Sequence, residues 1–127
     1  MAIADPYDEA GRPAVREIRM ISAEQRLEID FDDSSTMAFS AEFLRVESPS
    51  AEVRGHSPSE RQYIGGKLNV RVTEIEPVGN YAIRITFDDG HNTGIFSWSF
   101  LYDAGVRYEE IWENYLNELD QRGISRT

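Results

Sequence analysis

The sequence predicts an α+β domain: two antiparallel β-hairpin or meander units, each followed by a short helix, plus a C-terminal amphipathic helix. Three observations predict it. Apolar and polar residues alternate in several short runs, the period of strands with one buried face. The order alternating run, Asp-Asp turn, alternating run, Ser-led helix occurs twice. Near the end, Tyr108, Ile111, Trp112, Tyr115, Leu116 and Leu119 recur at helical spacing.

The elements follow in order. Residues 1–14 carry Asp5, Pro6, Asp8, Glu9, Gly11 and Pro13, a composition that suits a disordered leader. Ile18 and Met20, then Leu27, Ile29 and Phe31, form one-sided runs broken near Ser22 and Gln25, giving two strands. Asp32-Asp33-Ser34-Ser35 is a polar turn whose short side chains can bond their own backbone. Met37 and Phe39 make a third strand. Ser40 is placed to cap a helix over residues 41–46, and a further helical turn over residues 50–54 stops at Gly55. Residues 56–66 are polar and hold Pro58, Gly65 and Gly66, the composition of an exposed loop.

Val70, Val72 and Ile75 open a fourth strand that Pro77 and Gly79 should end. Tyr81, Ile83, Ile85 and Phe87 alternate into Asp89-Gly90, a signal for a two-residue type I′ hairpin. That register sets Asp88 opposite His91, Thr86 opposite Thr93 and Ile83 opposite Phe96, with Asp88 and His91 on a polar face. Ser97 caps a helix over residues 98–104, ended by Gly105; Gly123 stops the last helix. The domain then spans residues 15–123, with a tail of residues 124–127. The two units echo one another, Leu27-Glu28-Ile29-Asp30-Phe31-Asp32-Asp33 against Ile83-Arg84-Ile85-Thr86-Phe87-Asp88-Asp89 and, after a one-residue shift in the turn, Phe39-Ser40 against Phe96-Ser97. Such units can pair their sheets around one core.

Composition narrows the function classes. The 127 residues, 40% hydrophobic and 28% charged, suit one globular domain. A formal net charge of −10 and a pI near 4.6 repel phosphate backbones and anionic membranes, so neither nucleic acid nor membrane is the expected partner. Arg45, Arg54, Arg61, Lys67 and Arg71 are expected as charges spread over a solvated surface. The chain has no cysteine, which excludes disulfides and thiolate-held metals and agrees with a reducing cytoplasm. Residues 1–13 lack the basic and apolar regions of a secretory signal.

Motifs for bond-breaking chemistry do not gather. Gly65-Gly66-Lys67 lacks the leading glycine and following hydroxyl of a phosphate loop, and Asp88-Asp89-Gly90 lacks the spaced oxygens of a calcium loop. Asp32 with Asp33, and Asp88 with Asp89, are neighbours that a strand would turn to opposite faces. The two histidines, His56 and His91, could join a carboxylate such as Glu52 or Asp88 at a zinc or iron, the route to a small metal-binding protein or metal-dependent enzyme. His91 beside a tight turn equally suits a hydrogen-bonding role.

Leu44-Arg45 with Gly55-His56, Pro77-Val78-Gly79-Asn80-Tyr81-Ala82, and the run Phe87-Asp88-Asp89-Gly90-His91-Asn92-Thr93-Gly94-Ile95-Phe96-Ser97-Trp98 carry a family resemblance. Over residues 17–105 the chain resembles the gamma-butyrobetaine hydroxylase-like N-terminal domain, formerly a domain of unknown function. In carnitine-pathway hydroxylases that domain precedes an iron- and 2-oxoglutarate-dependent catalytic domain. It aids dimerisation and substrate enclosure and holds zinc through three cysteines and a histidine. The histidine matches His91; the cysteine positions hold Ser48, Ser50 and Val53 here. Similar domains end plastid scaffold proteins that transfer iron–sulfur clusters. The resemblance implies a non-catalytic accessory module, assisting an iron-dependent oxygenase or iron–sulfur assembly; with the cysteines replaced no cofactor is expected, zinc or iron at His91 and His56 being the alternative. Docking on a partner protein or on a second copy is expected through Arg45, Tyr81, Asp89, His91 and Trp98.

Overall fold

The structure, a computed structural model, describes residues 12–127; the leader expected over residues 1–14 lies, for residues 1–11, outside the described residues. In chain order the elements are β1 (Val15–Ile21), a 3₁₀ turn (Ser22–Glu24), β2 (Arg26–Phe31), β3 (Thr36–Ser40), α1 (Ala41–Val46) and α2 (Ala51–Arg54). A 3₁₀ turn (Pro58–Glu60), β4 (Val72–Val78), β5 (Ala82–Phe87), β6 (Ile95–Ser97), α3 (Trp98–Val106) and α4 (Tyr108–Arg122) complete it. The expected α+β class is what is found: two three-stranded antiparallel sheets, ordered β1-β2-β3 and β4-β5-β6. Their apolar faces meet in one core, where Leu27, Ile29, Phe31 and Phe39 pack with Ile83, Ile85, Phe87 and Phe96.

The internal echo is structural. Each first strand carries a bulge, between Val15 and Glu17 and between Val72 and Glu74. Each helix after a sheet starts at a serine whose hydroxyl accepts an N–H three residues on: Ser40 from Phe43 at 3.0 Å, Ser97 from Phe100 at 3.1 Å. Arg45 and Tyr102 stand five residues after these two caps. Arg45 Nε donates to Asp89 at 2.7 Å, and Tyr102 donates its hydroxyl to Asp33 at 3.0 Å. Each unit's helix thus holds the other unit's turn.

The turns differ from the expected type I′. Phe87 C=O accepts from Gly90 N–H and Phe87 N–H donates to His91 C=O, with Gly90 at φ +90°. Asp89 has no positive φ, which type I′ requires at both central residues. This is a three-residue loop, an ordinary turn at Asp88-Asp89 closed by a left-handed residue. The first hairpin repeats it, with Ser34 at φ +71° and Phe31 bonded to Ser35.

The consequence is a shift of one residue. Phe87, rather than Asp88, stands across from His91 at the turn. Ile83 does face Phe96, but β6 pairs only over Ile95–Ser97, so Thr86 and Thr93 are not partners. A one-residue slip moves a side chain to the other face. His91 therefore points inward, 5% exposed, rather than sharing a polar face with Asp88.

Three boundaries also differ. Val70 is buried ahead of β4 rather than in it. Pro77 lies within β4, which the strand tolerates because β4 pairs on one side only. Gly105 lies inside α3 rather than ending it: a Cβ there would stand 2.1 Å from Met37 Sδ, so the glycine serves close packing of α3 on β3. Gly123 does stop α4, at φ +65°. The segment after it, expected as a tail, is bound: Gly66 N–H donates to Ser125 C=O, Leu68 N–H to Arg126 C=O, and Arg126 forks onto Glu42 at 2.6 and 2.9 Å. The 56–66 loop is also tied down, by Gln62 N–H to Val53 C=O and by the Tyr115 hydroxyl on Ile64 C=O at 2.5 Å.

Candidate functional site

The expected site residues divide into two groups. Arg45, Asp89 and His91 come together; Tyr81 and Trp98 form a separate surface corner. His56 belongs to neither: it is exposed, and its backbone N–H donates to Glu60.

The first group is a hydrogen-bonded cluster joining the α1–α2 connection to the second hairpin. His91 Nε2 lies 3.0 Å from Ser48 Oγ, and Nδ1 lies 3.2 Å from Glu52 Oε1. An acceptor at Nδ1 and a hydroxyl at Nε2 suit one neutral tautomer, Nδ1–H donating to Glu52 and the Ser48 hydroxyl donating to Nε2. Ser48 Oγ also accepts Ser50 N–H, and Ser50 Oγ pairs with Thr93 Oγ1 at 2.6 Å. Burial pushes the imidazole pKa down from its ordinary value and Arg45 lowers it further; together they outweigh the opposing pull of Glu52, which is largely exposed, and of Asp89. Asp89 accepts from Arg45 Nε and Lys67 Nζ, each at 2.7 Å, and from His91 N–H at 3.0 Å. These donors outweigh burial and hold its carboxyl far below the usual range. Arg45 Nη1 is buried without an acceptor among the described residues. Gly94 is required here by close approach, since a Cβ would come within 2.4 Å of Ser48 Oγ.

The zinc that the family implies does not fit this donor set. The Ser48 and Ser50 hydroxyls are weak zinc ligands and are engaged with one another's neighbours. Val53 is buried and apolar. Among the described residues no three His, Cys, Asp or Glu side chains converge to hold an ion. His91 and His56 have separate partners. Hydrogen bonds close the span that thiolates would close around a metal. Dialysis against a chelator, followed by added Zn²⁺, is expected to leave the melting temperature within about 1 °C, whereas structural zinc supplies folding energy outright. A stoichiometric Zn²⁺-dependent rise would contradict this.

In the second group Tyr81 is exposed and Trp98 half-buried, packed partly against the core. Trp98 N–H donates to Tyr81 C=O at 3.0 Å and its indole Nε1–H to Asn80 C=O at 3.1 Å, so the ring is fixed at the end of β6. It lines a mostly apolar groove of about 400 Å³ between the outer edges of β1 and β4, with Val15, Ile18, Ile75, Pro77 and Ile83 and the charged Arg16 and Glu17. Tyr81 is 45% and Ile95 38% exposed nearby in the chain.

A third feature was not foreseen. Glu47, its side chain 7% exposed, lies between Arg54 and Arg61 at 3.4 and 3.0 Å. All three line a cavity of about 660 Å³ with Phe43, Tyr63, Phe100 and Arg107. In the sequence these arginines look like surface charge; no local spacing marks them, because α2 and the following loop bring them together.

Two matched meander–helix units, cross-braced around one core, define a small duplicated α+β domain. The chain belongs to the gamma-butyrobetaine hydroxylase-like N-terminal family, whose model matches residues 18–102. An NMR solution structure matches with TM-score 0.77 at 41% identity, covering 90% of each chain. A second NMR structure matches with TM-score 0.79 at 41% identity, over 98% of this chain and 91% of that one. A crystal structure from Acidithiobacillus ferrooxidans, a DUF971-family protein of unknown function, matches with TM-score 0.58 at 41% identity, over 68% of this chain and 86% of that one. No curated protein matches significantly. No helix among the described residues is long and apolar enough to cross a membrane.

Proposed function

We propose that this chain is a non-catalytic, cytoplasmic accessory module that docks on a partner protein through the groove between β1 and β4. One observation carries this: a concave, mostly apolar strip, lined by a positioned tryptophan, stands open on an otherwise acidic chain. Pro77 removes a donor from the β4 edge, so the strip favours apolar side chains over an added strand. Arg16 and Glu17 line the strip, with Glu17 paired to Arg19, and Glu74 is exposed on β4. The net charge of −10 disfavours a second copy and favours a partner whose apolar anchor is flanked by lysine or arginine. Family kinship makes an iron-dependent oxygenase the partner to test first, ahead of a component of iron–sulfur assembly. The alternative, a metal site joining His56 to His91, has no supporting geometry, since each has its own partners.

The test titrates the chain with the catalytic domain of an iron- and 2-oxoglutarate-dependent hydroxylase and follows binding calorimetrically. Saturable binding is expected, weakened by about tenfold or more in Trp98→Glu, the scale of a lost aromatic anchor. Absence of binding, equal binding by Trp98→Glu, or a dimer of the chain alone that buries Trp98 would each overturn the proposal.

A further inference from the structure

The cavity beside α3 and α4 has the lining of a ligand site. Its volume, about 660 Å³, lies within the range of small-molecule pockets. Arg54 Nε donates to Ser48 C=O at 3.1 Å and its Nη2 to Glu47 C=O at 2.6 Å. Arg61 uses Nε on Gln62 C=O and Nη2 on Val46 C=O and Glu47 Oε2. Both guanidinium groups are therefore fixed by backbone, and each keeps Nη1 without an acceptor among the described residues. Arg54 lies over the Phe100 ring, 5.7 Å from its centroid, and both Arg61 and Arg122 lie over Tyr63, at 4.6 and 4.9 Å. Cation and aromatic surface are thus side by side.

Formal charge selects the ligand class. Arg54 and Arg61 share one carboxylate, Glu47; the lining as a whole holds three acids and three arginines, and Arg12, which reaches Asp103 from outside it, brings the local sum to one positive charge. The other charged lining groups are paired: Asp103 with Arg12, Arg107 with Glu110. One negative charge balances the site. A dianion would exceed that and face the nearby carboxylates. Burial, and the neighbouring Arg61, lower the Arg54 pKa, as expected of a guanidinium short of counter-charge.

We infer that this cavity binds a small organic monocarboxylate, its carboxylate bridging Arg54 and Arg61 and its apolar body lying on Phe100 and Tyr63. Guanidinium donors fixed in advance favour carboxylate because little ordering remains to be done on binding. The site shares no residue with the β1–β4 groove, so it stands or falls separately from the docking proposal.

The test is two-dimensional amide NMR of the full chain, titrated with hydrocinnamate, its neutral amide hydrocinnamamide, acetate and inorganic phosphate. Saturable shifts confined to the Arg54–Tyr63 stretch and α3 are expected for hydrocinnamate, with acetate and phosphate weaker. The amide should bind about tenfold or more weakly, as loss of a charge-assisted contact implies. Arg54→Gln should weaken hydrocinnamate to a similar degree. Arg84→Gln, the same charge change on exposed β5, should not. No saturation, shifts centred elsewhere, or equal binding of acid and amide would overturn the inference. The acid–amide comparison needs no variant, so the test holds even if Arg54→Gln disturbs the fold.

Discussion

Phe87→Ala is expected to lower the unfolding free energy by about 3–5 kcal/mol, the scale of a buried aromatic truncation. Phe87 is 1% exposed and belongs to the cluster built by both sheets. Its ring centroid is 6.0 Å from that of His91, so its loss also uncovers the hydrogen-bonded cluster. Neighbouring aliphatic side chains are held by two sheets and cannot collapse far into the space. Domains of this size are stable by roughly 5–15 kcal/mol, so the loss takes a large share. Urea titration followed by circular dichroism measures it through the midpoint at constant slope. Phe31→Ala should cost a similar amount, because Phe31 holds the matching place in the first unit, where Tyr102 meets it edge-on at 5.0 Å. A loss below about 1 kcal/mol for Phe87→Ala would mean that the second hairpin is not packed on the first.

Alternation made the strands legible, because sheet faces here are sorted into core and solvent with few exceptions. The duplication was legible too, since serine caps and Asp-Asp turns need particular residue types at particular places. The turn type was not. Asp89-Gly90 carries the chemistry of a type I′ loop, but both hairpins use Asp-Asp at the corner and a left-handed residue after it. The first hairpin does this with Ser34, where no glycine advertises it. That difference decides where His91 points: one residue of register moves it from the expected polar face into the interior. Arg45 and Asp89 were singled out from sequence, yet not their mutual contact, because it crosses between units. Glu47 with Arg54 and Arg61 lay beyond local pattern for the same reason.

The cross-bracing explains why an unforeseen site can sit beside a duplicated core. In the first unit the helix residue that reaches across is Arg45; in the second it is Tyr102. Symmetry fixes the frame, and departures from it supply chemistry. After α1 the chain adds α2 and the 56–66 strap, whereas after α3 it runs directly into α4. Both unmatched insertions border the arginine-lined cavity. The extra residue between His91 and Ile95 likewise lies where the chain meets Ser48 and Ser50.

Stability is expected to fall in two stages on acidification. His91 is held neutral in the fold, its pKa below the ordinary 6.5. As pH drops through that value the unfolded chain takes up a proton that the folded chain refuses. The unfolded state then binds more protons, and stability declines from about pH 7 downward until the folded imidazole also titrates. The cause is local: charging the buried ring would add a second cation beside Arg45, a cost that Glu52 and Asp89 offset only in part. Asp89 acts at lower pH with the same sign. Its carboxylate is favoured by Lys67, Arg45 and the His91 N–H, so its contribution is complete above the ordinary 3.8 and is lost as pH falls below it. Urea midpoints measured from pH 8 to pH 3 separate the stages, the first setting in as pH approaches the ordinary histidine value and the second below the ordinary aspartate value. His91→Gln keeps hydrogen-bonding capacity without the titration; it should flatten the first stage and leave the second. A midpoint that is constant between pH 7 and pH 5 in the parent chain, or that falls equally in His91→Gln, would show that the imidazole is not held neutral by its surroundings.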